Sequence, residues 1–305
     1  MAVLSAKSSG SVRAPKDMEA LWHQAEGLVR NLPEMRARAS ELSPSSSRGT
    51  HGRRKPGTGD SFWQFRPFHQ GDTVRDIDWR RSGRSDSLFV RQNEWETAQN
   101  VWLWCDTSPS MAFQSTLAQQ SKADRATVLA LALAMLLVAG GERVGHLAGQ
   151  ERPAGGRFGA RRLFDSMLHH GKPTELAFPR YRAIGQHAHL IAIGDFLADE
   201  AAIEKAVMRY AHAGVKGHLI QVLDPAEEDF PFEGRITLHG LEGEGDHRLS
   251  RAEEIRAAFE GRLGRWREQL DRIARGVEWS LTVHRTDRPA QMTLLALAAQ
   301  MGVGL

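Results

Sequence analysis

The segment VWLWCDTSPSM (101–111) carries one carboxylate and two hydroxyls around a short turn. Asp106 ends an apolar run that is typical of a buried strand, and Ser108 and Ser110 follow it at spacings of two and four residues. A turn that starts where the strand ends would bring these three side chains to one point. Carboxylate and hydroxyl oxygens are ligands that Mg²⁺, Mn²⁺ and Ca²⁺ prefer. The alternative is that these residues only form the turn or cap the next helix.

Two further residues with side-chain oxygens support the prediction of a metal site. Asp195 lies at the end of a second apolar run, HLIAIGDF (189–196). Because parallel strands end at the same edge of a sheet, we expect Asp195 to reach the edge that carries Asp106. Thr174, in the segment HHGKPTE (169–175) upstream of that run, is a candidate for an additional hydroxyl ligand.

The elements that must position these residues alternate between strand and helix from residue 101 onward. Strands are predicted at 101–106, 143–149, 189–196, 216–224, 235–241 and 277–286, and helices at 17–39, 124–140, 159–170, 199–214, 250–275 and 289–300. This alternation predicts an α/β fold, a three-layer α/β/α sandwich around a doubly wound, mostly parallel sheet. The Ser-, Gly- and Arg-rich segment 41–59 is predicted to be an exposed loop.

The composition excludes several classes of protein. The chain has 305 residues, of which 41% are hydrophobic and 25% charged, as in soluble globular proteins. A single cysteine, Cys105, excludes an internal disulfide framework, so we expect a cytoplasmic setting. The longest apolar run (126–141) is shorter than the roughly 20 residues that span a bilayer, and the N-terminal residues lack the apolar core of a signal peptide. We therefore expect no membrane span.

Residues 60–100 combine aromatic residues, arginines and aspartates. One interpretation is structural: the arginines pair with the aspartates, and aromatic rings, among them Trp79, pack beneath them. The other is a surface that binds a protein, since Trp and Arg are favoured interface anchors. The candidates for such a surface are Arg66, Asp72, Arg75, Asp78, Trp79 and Arg84. The net charge of +3 and the aspartates beside most arginines argue against nucleic acid as the partner.

The motif D-T-S-P-S-M after an apolar strand resembles the metal-ion-dependent adhesion site of von Willebrand factor A domains. In that family a divalent cation is held by D-x-S-x-S, a later Thr and an Asp after another strand. The resemblance implies a metal site formed by Asp106, Ser108, Ser110, Thr174 and Asp195. It also implies that Mg²⁺, or Mn²⁺ or Ca²⁺, keeps one coordination position open for a carboxylate of a partner.

The segment ahead of the strand resembles the signature of the bacterial DUF58 family, R-x-Y/F-x-x-G-D-x-x-R-x-I-D-W-x-x-S-A-R. The matching residues are Arg66, Phe68, Gly71, Asp72, Arg75, Ile77, Asp78, Trp79, Ser82 and Arg84, with Gly83 where Ala is usual. This resemblance divides the chain into a tail and helix (1–47), a β-rich signature segment (48–97) and a von Willebrand A-like domain (98–305). Proteins of this kind commonly occur beside MoxR-type AAA+ ATPases.

The two resemblances together imply a non-enzymatic adaptor. It would link a MoxR-type AAA+ ATPase to a client protein during assembly or maturation, with a bound cation as the contact point. Two alternatives stay open at this point. One is a metal-dependent phosphoester hydrolase that uses the same site, for which the sequence offers no clear general base. The other is a structural module whose metal site is empty.

Overall fold

The structure, a computed structural model, describes residues 17–42, 55–57, 61–69, 73, 77–84, 87–95, 98–170, 178–239 and 245–301. The strands are β1 (Lys55–Gly57), β2 (Ser61–Pro67), β3 (Phe89–Trp95), β4 (Asn100–Cys105), β5 (Arg143–His146), β6 (His189–Gly194), β7 (Lys216–Leu223), β8 (Ile236–His239), β9 (Asp246–Leu249) and β10 (Ser280–Arg285). The helices are α1 (Met18–Leu42), α2 (Trp79–Ser82), α3 (Lys122–Ala139), α4 (Gly159–His170), α5 (Glu200–His212), α6 (Pro225–Asp229), α7 (Arg256–Gly276) and α8 (Ala290–Met301). The chain divides into a larger unit, residues 1–48 and 99–305, and a smaller unit, residues 49–98.

The larger unit is built on a five-stranded sheet with the order β10-β7-β6-β4-β5. Every neighbouring pair of strands in this sheet is parallel. The carboxyl ends of β4 and β6 are therefore adjacent at one edge of the sheet, as the strand pattern predicts. The predicted helix at 159–170 has these same bounds in α4.

Both faces of the sheet are covered, which gives the α/β unit its three layers. Along β4, Val101, Leu103 and Cys105 belong to a core shared with α1, α3, α4 and α8. Trp102 and Trp104 point to the opposite face and join a second core shared with α5 and α7. The expected three-layer α/β/α fold is confirmed, and the sheet is parallel throughout. No helix among the described residues is both long and apolar enough to cross a membrane.

Helix α3 contains the long apolar run and lies in the middle of one helical layer. Ser121 caps its first turn by accepting a hydrogen bond from the backbone nitrogen of Asp124. The apolar residues that follow are buried against the sheet and against α1, whose Leu21 and Ala25 are at most 1% exposed. Burial from two sides explains why this helix lacks a polar face.

Three of the differences between the predicted and the observed elements concern pairing, a helix start and a loop. Residues 236–239 form a strand, but β8 pairs with β9 in a separate antiparallel hairpin because β10 takes the sheet edge beside β7. The helix predicted from residue 250 begins at Arg256, after a 3-10 turn at Ala252–Ile255. Residues 55–57, predicted to lie in a loop, form β1 and pair antiparallel with β3. In the smaller unit the sheet order is β1-β3-β2, which agrees with the predicted β-rich extension.

Candidate metal centre

Asp106 continues the line of β4 beyond its last residue. Its backbone nitrogen donates to the carbonyl of Ile193 in β6 at 2.8 Å, so the two strand ends are fixed together. Its Oδ1 atom accepts a hydrogen bond of 2.7 Å from the backbone nitrogen of Ser108, which closes the tight turn predicted here. Its Oδ2 atom is buried and has no hydrogen-bond partner in the described part of the chain.

The two serine hydroxyls lie together directly after this carboxylate. The Oγ atoms of Ser108 and Ser110 are 2.9 Å apart, and both residues are at most 3% exposed. Pro109 starts the 3-10 turn that carries Ser110 and fixes the backbone between the two hydroxyls. The D-x-S-x-S turn thus places one carboxylate and two hydroxyls in one buried region.

Asp195 follows β6 and reaches the same sheet edge. Its Oδ1 atom accepts from the backbone nitrogen of Leu197 at 3.1 Å, and its Oδ2 atom accepts from the Lys122 ammonium at 2.8 Å. A hydrogen bond from the Ser110 side chain also lowers the pKa of Asp195. The structure therefore brings Asp106, Ser108, Ser110 and Asp195 together.

Two charged residues that the sequence analysis did not single out complete this buried region. Lys122, the first residue of α3, is 0% exposed, and its ammonium donates to Asp195 and, at 2.6 Å, to Oε1 of Glu227. Glu227 lies in α6, and its Oε2 atom accepts from the backbone nitrogen of Asp224 in a capping box. The sequence carries no local signal for the burial of Lys122, which begins α3 next to the charged residues Asp124 and Arg125.

The charges in this region do not balance. Burial and, to a smaller extent, the nearby charge of Asp195 raise the pKa of Asp106 to about 7. Burial by itself would lower the pKa of Lys122, but Asp195 and Glu227 hold it above the usual value. Burial raises the pKa of Glu227 whereas Lys122 keeps that of Asp195 low, so a single ammonium does not fully compensate the carboxylates.

These features fit a divalent cation of the magnesium or calcium kind. The donors are oxygens only, one buried carboxylate oxygen has no partner, and the region carries excess negative charge. Among the described residues, no group of three or more His, Cys, Asp or Glu side chains could hold a metal ion. The candidate centre has only two such side chains, and its remaining donors are hydroxyls. Thr174, the fifth predicted ligand, lies outside the described residues.

The predicted partner-binding residues belong to the smaller unit. Asp78 caps α2, where its side chain accepts from the backbone nitrogen of Arg81 at 2.9 Å. Trp79 is 61% exposed, so the expectation that its ring packs beneath the arginines is wrong. The short capped helix turns Trp79 outward, and the Arg81 guanidinium covers the ring of Phe65 instead, at 4.5 Å. Arg84 is exposed, Arg66 lies in β2, and Asp72 and Arg75 lie outside the described residues.

A comparison with models of protein families identifies the family of this chain. The family model described as "Protein of unknown function DUF58" matches residues 64–269. The chain belongs to the DUF58 family. The match includes part of the smaller unit and the whole path from Asp106 to Glu227, so the candidate centre lies within the DUF58 region.

Relatives and solved structures were also found. The uncharacterized proteins Rv1480 of Mycobacterium tuberculosis and Mb1516 of Mycobacterium bovis are each 29% identical over 252 residues, which cover 76% of this DUF58 chain and 77% of theirs. Among solved structures, BatB of Bacteroides thetaiotaomicron has 18% identity and a TM-score of 0.37, covering 68% of this chain and 100% of its own. An aerotolerance-related membrane protein of Bacteroides fragilis has 18% identity and a TM-score of 0.39, covering 67% and 100%.

Proposed function

We propose that this protein is a non-enzymatic, metal-dependent binding protein whose larger unit is of the von Willebrand A type. Mg²⁺, or Mn²⁺ or Ca²⁺, would be held by Asp106, Ser108, Ser110 and Asp195, with Thr174 as a further ligand. The observation that carries the proposal is the buried, unpartnered Oδ2 atom of Asp106 beside the two paired serine hydroxyls. An unpartnered carboxylate oxygen is costly to bury, and a bound cation removes that cost.

The donor set favours binding over catalysis. Two carboxylates and neutral hydroxyls leave a divalent ion with unsatisfied coordination, and such an ion attracts and orients a carboxylate from a partner. Within the described residues, the other acidic groups nearby are engaged: Glu227 by Lys122, and Asp224 by the backbone nitrogens of Ser115 and Ala226. A phosphoester hydrolase would need a free general base at this place.

Access to the site sets a condition on this function. The side chains of Asp106, Ser108, Ser110 and Asp195 are no more than 3% exposed. A partner's carboxylate therefore reaches the ion only after the residues that cover it move. Binding is then coupled to an opening of the loops at this sheet edge, as in other proteins where a ligand selects a less populated conformation.

We further propose that the partners are a MoxR-type AAA+ ATPase and a client protein that the two handle during assembly or maturation. This rests on the resemblance of the metal motif and the signature described above, together with membership of the DUF58 family. The exposed Trp79 and Arg84 of the smaller unit offer a second surface for the same partners, since Trp and Arg are common anchors of interfaces.

Calorimetric titration with Mg²⁺ and Mn²⁺ tests the centre. The wild type should bind one ion, and Asp106→Ala should lose binding, whereas the exposed Glu204→Ala should bind as the wild type does. A pull-down of a MoxR-type ATPase with and without EDTA then tests the adaptor. If the ATPase is captured equally well with EDTA and by Asp106→Ala, the proposal is contradicted. Metal-dependent release of phosphate from p-nitrophenyl phosphate would instead favour the hydrolase.

A further inference from the structure

Lys122 and Glu227 form a buried ion pair at the candidate centre. The Lys122 ammonium is 0% exposed and lies 2.6 Å from Glu227 and 2.8 Å from Asp195. Desolvating an ammonium is expensive unless carboxylates surround it closely. The Lys122 ammonium is therefore held in place, and its charge acts at a fixed distance on the neighbouring carboxylates.

The two partners of Lys122 differ in their relation to the cation. Asp195 belongs to the proposed ligand set. Glu227 does not, because its second oxygen is bound to the backbone nitrogen of Asp224 at the start of α6. The positive charge of Lys122 thus offsets part of the negative charge of Asp195, a proposed ligand. Glu227 adds negative charge from outside the ligand set.

We propose that Lys122 and Glu227 set the affinity of the centre for its cation without coordinating it. The inference rests on the metal site proposed above. When the three buried carboxylates (Asp106, Asp195 and Glu227) are ionised, as they would be around a bound cation, they face one ammonium and leave a formal charge of −2. Neutralising Lys122 makes this charge −3, and neutralising Glu227 makes it −1. Lys122 and Glu227 are positioning residues, and the cation's affinity should follow the sum of their charges.

Calorimetric titration of the full chain with Mn²⁺ alone measures the affinity of the centre for its cation directly. We expect Lys122→Met to bind Mn²⁺ at least about tenfold more tightly and Glu227→Gln at least about tenfold more weakly, each a change of about 1.4 kcal/mol. The double variant restores the wild-type charge, so its affinity should lie within about threefold of the wild type. A purely structural role would lower stability in both single variants, and any change in Mn²⁺ affinity would then have the same sign in both.

Glu228→Gln is the matched control. It removes one carboxylate from the same short helix, but Glu228 pairs with Arg267 and Arg285 instead of Lys122. Its Mn²⁺ affinity should stay within about twofold of the wild type. If Lys122→Met does not fold, Glu227→Gln keeps both the volume of the side chain and an acceptor for the ammonium, and its loss of affinity alone decides the inference.

The outcomes separate this inference from the proposed function. If Asp106→Ala abolishes Mn²⁺ binding while Lys122→Met and Glu227→Gln bind as the wild type does, the metal centre stands and the role of the ion pair is wrong. If neither the wild type nor Lys122→Met binds Mn²⁺, both are wrong. Opposite shifts in the two single variants, cancelled in the double variant and absent in Glu228→Gln, support both.

Discussion

Gly194 and Asp106 lie against each other where β6 and β4 end. A Cβ atom on Gly194 would lie 2.7 Å from the Cβ atom of Asp106 and 3.1 Å from its Oδ2 atom. The first distance is shorter than real Cβ contacts, so any side chain at this position must displace the aspartate. The missing side chain of Gly194 is what allows the carboxylate to occupy the sheet edge.

The first prediction follows from this contact. Gly194→Ala should lower the free energy of unfolding by about 1–3 kcal/mol, as overpacked core substitutions do. It should also weaken Mg²⁺ binding, because Asp106 is pushed from its place. Chemical denaturation and calorimetry measure the two effects. Gly264→Ala, in α7 with open space around the added atom, should instead raise stability by up to about 1 kcal/mol. An Ala at position 194 that leaves both quantities unchanged would contradict the described packing.

The second prediction concerns Asp106 without a metal ion. Its pKa is raised to about 7, so at pH 8 the folded chain holds a buried carboxylate that burial and Asp195 disfavour. In EDTA at pH 8, Asp106→Asn should therefore be more stable than the wild type by about 2–4 kcal/mol, from about 1.4 kcal/mol for each pKa unit. Thermal unfolding measures this difference.

Adding Mg²⁺ should remove most of this stability difference between the two proteins. At a concentration one hundred times its dissociation constant, the ion stabilises the wild type by about 2.7 kcal/mol. Asp106→Asn should gain nothing, since it lacks the charged oxygen. A variant that is less stable than the wild type in EDTA, or equally stabilised by Mg²⁺, would show that the carboxylate is satisfied in another way.

The order and type of most elements in the larger unit could be predicted because local patterns mark them. The apolar residues of α4 recur at helical spacing, and its predicted bounds match the structure. The pairing of β8 could not be predicted in this way, since an apolar strand carries no sign of which neighbour it joins. Its partner β9 is mostly exposed and polar, so it has no hydrophobic pattern to mark it.

The candidate centre could be predicted only where it is local in sequence. The turn from Asp106 to Ser110 is a short motif, and Asp195 follows from the rule that parallel strands end at one edge. Lys122 meets Asp195 and Glu227 across 73 and 105 residues, and no spacing rule links such distant positions. Charged residues at a helix start are usually exposed, so the sequence suggested no burial for this one.

A third prediction concerns pH and the stacked rings of His189 and His218. Both are buried, and their ring planes are 6° apart with centroids at 5.6 Å. Burial lowers the pKa of His189 to about 4 and that of His218 to about 3, from 6.5. Below pH 6.5 the unfolded chain binds protons that the folded chain does not, so stability should fall as the pH falls from 6.5 toward 4.

Replacing both rings should flatten this decline. The double variant His189→Asn/His218→Asn should lose about 5 kcal/mol less than the wild type between pH 6.5 and pH 4, since each ring contributes about half of this. Denaturation midpoints across this range measure the slopes, and His212→Asn, at an exposed position, serves as the control with the wild-type slope. Parallel curves for the double variant and the wild type would mean that other groups cause the acid sensitivity.

The fourth prediction concerns two adjacent residues of the signature segment, Asp78 and Trp79. The first has a structural role, and the second has a proposed role in binding. Asp78→Ala removes the cap of α2 and should cost about 1 kcal/mol of stability. Trp79→Ala removes a side chain that is 61% exposed, so stability should change by less than about 0.5 kcal/mol while capture of the MoxR-type ATPase is lost. Denaturation and the pull-down give the two readouts. A Trp79→Ala protein that is strongly destabilised, or that captures the ATPase as well as the wild type, would remove this residue from the proposed interface.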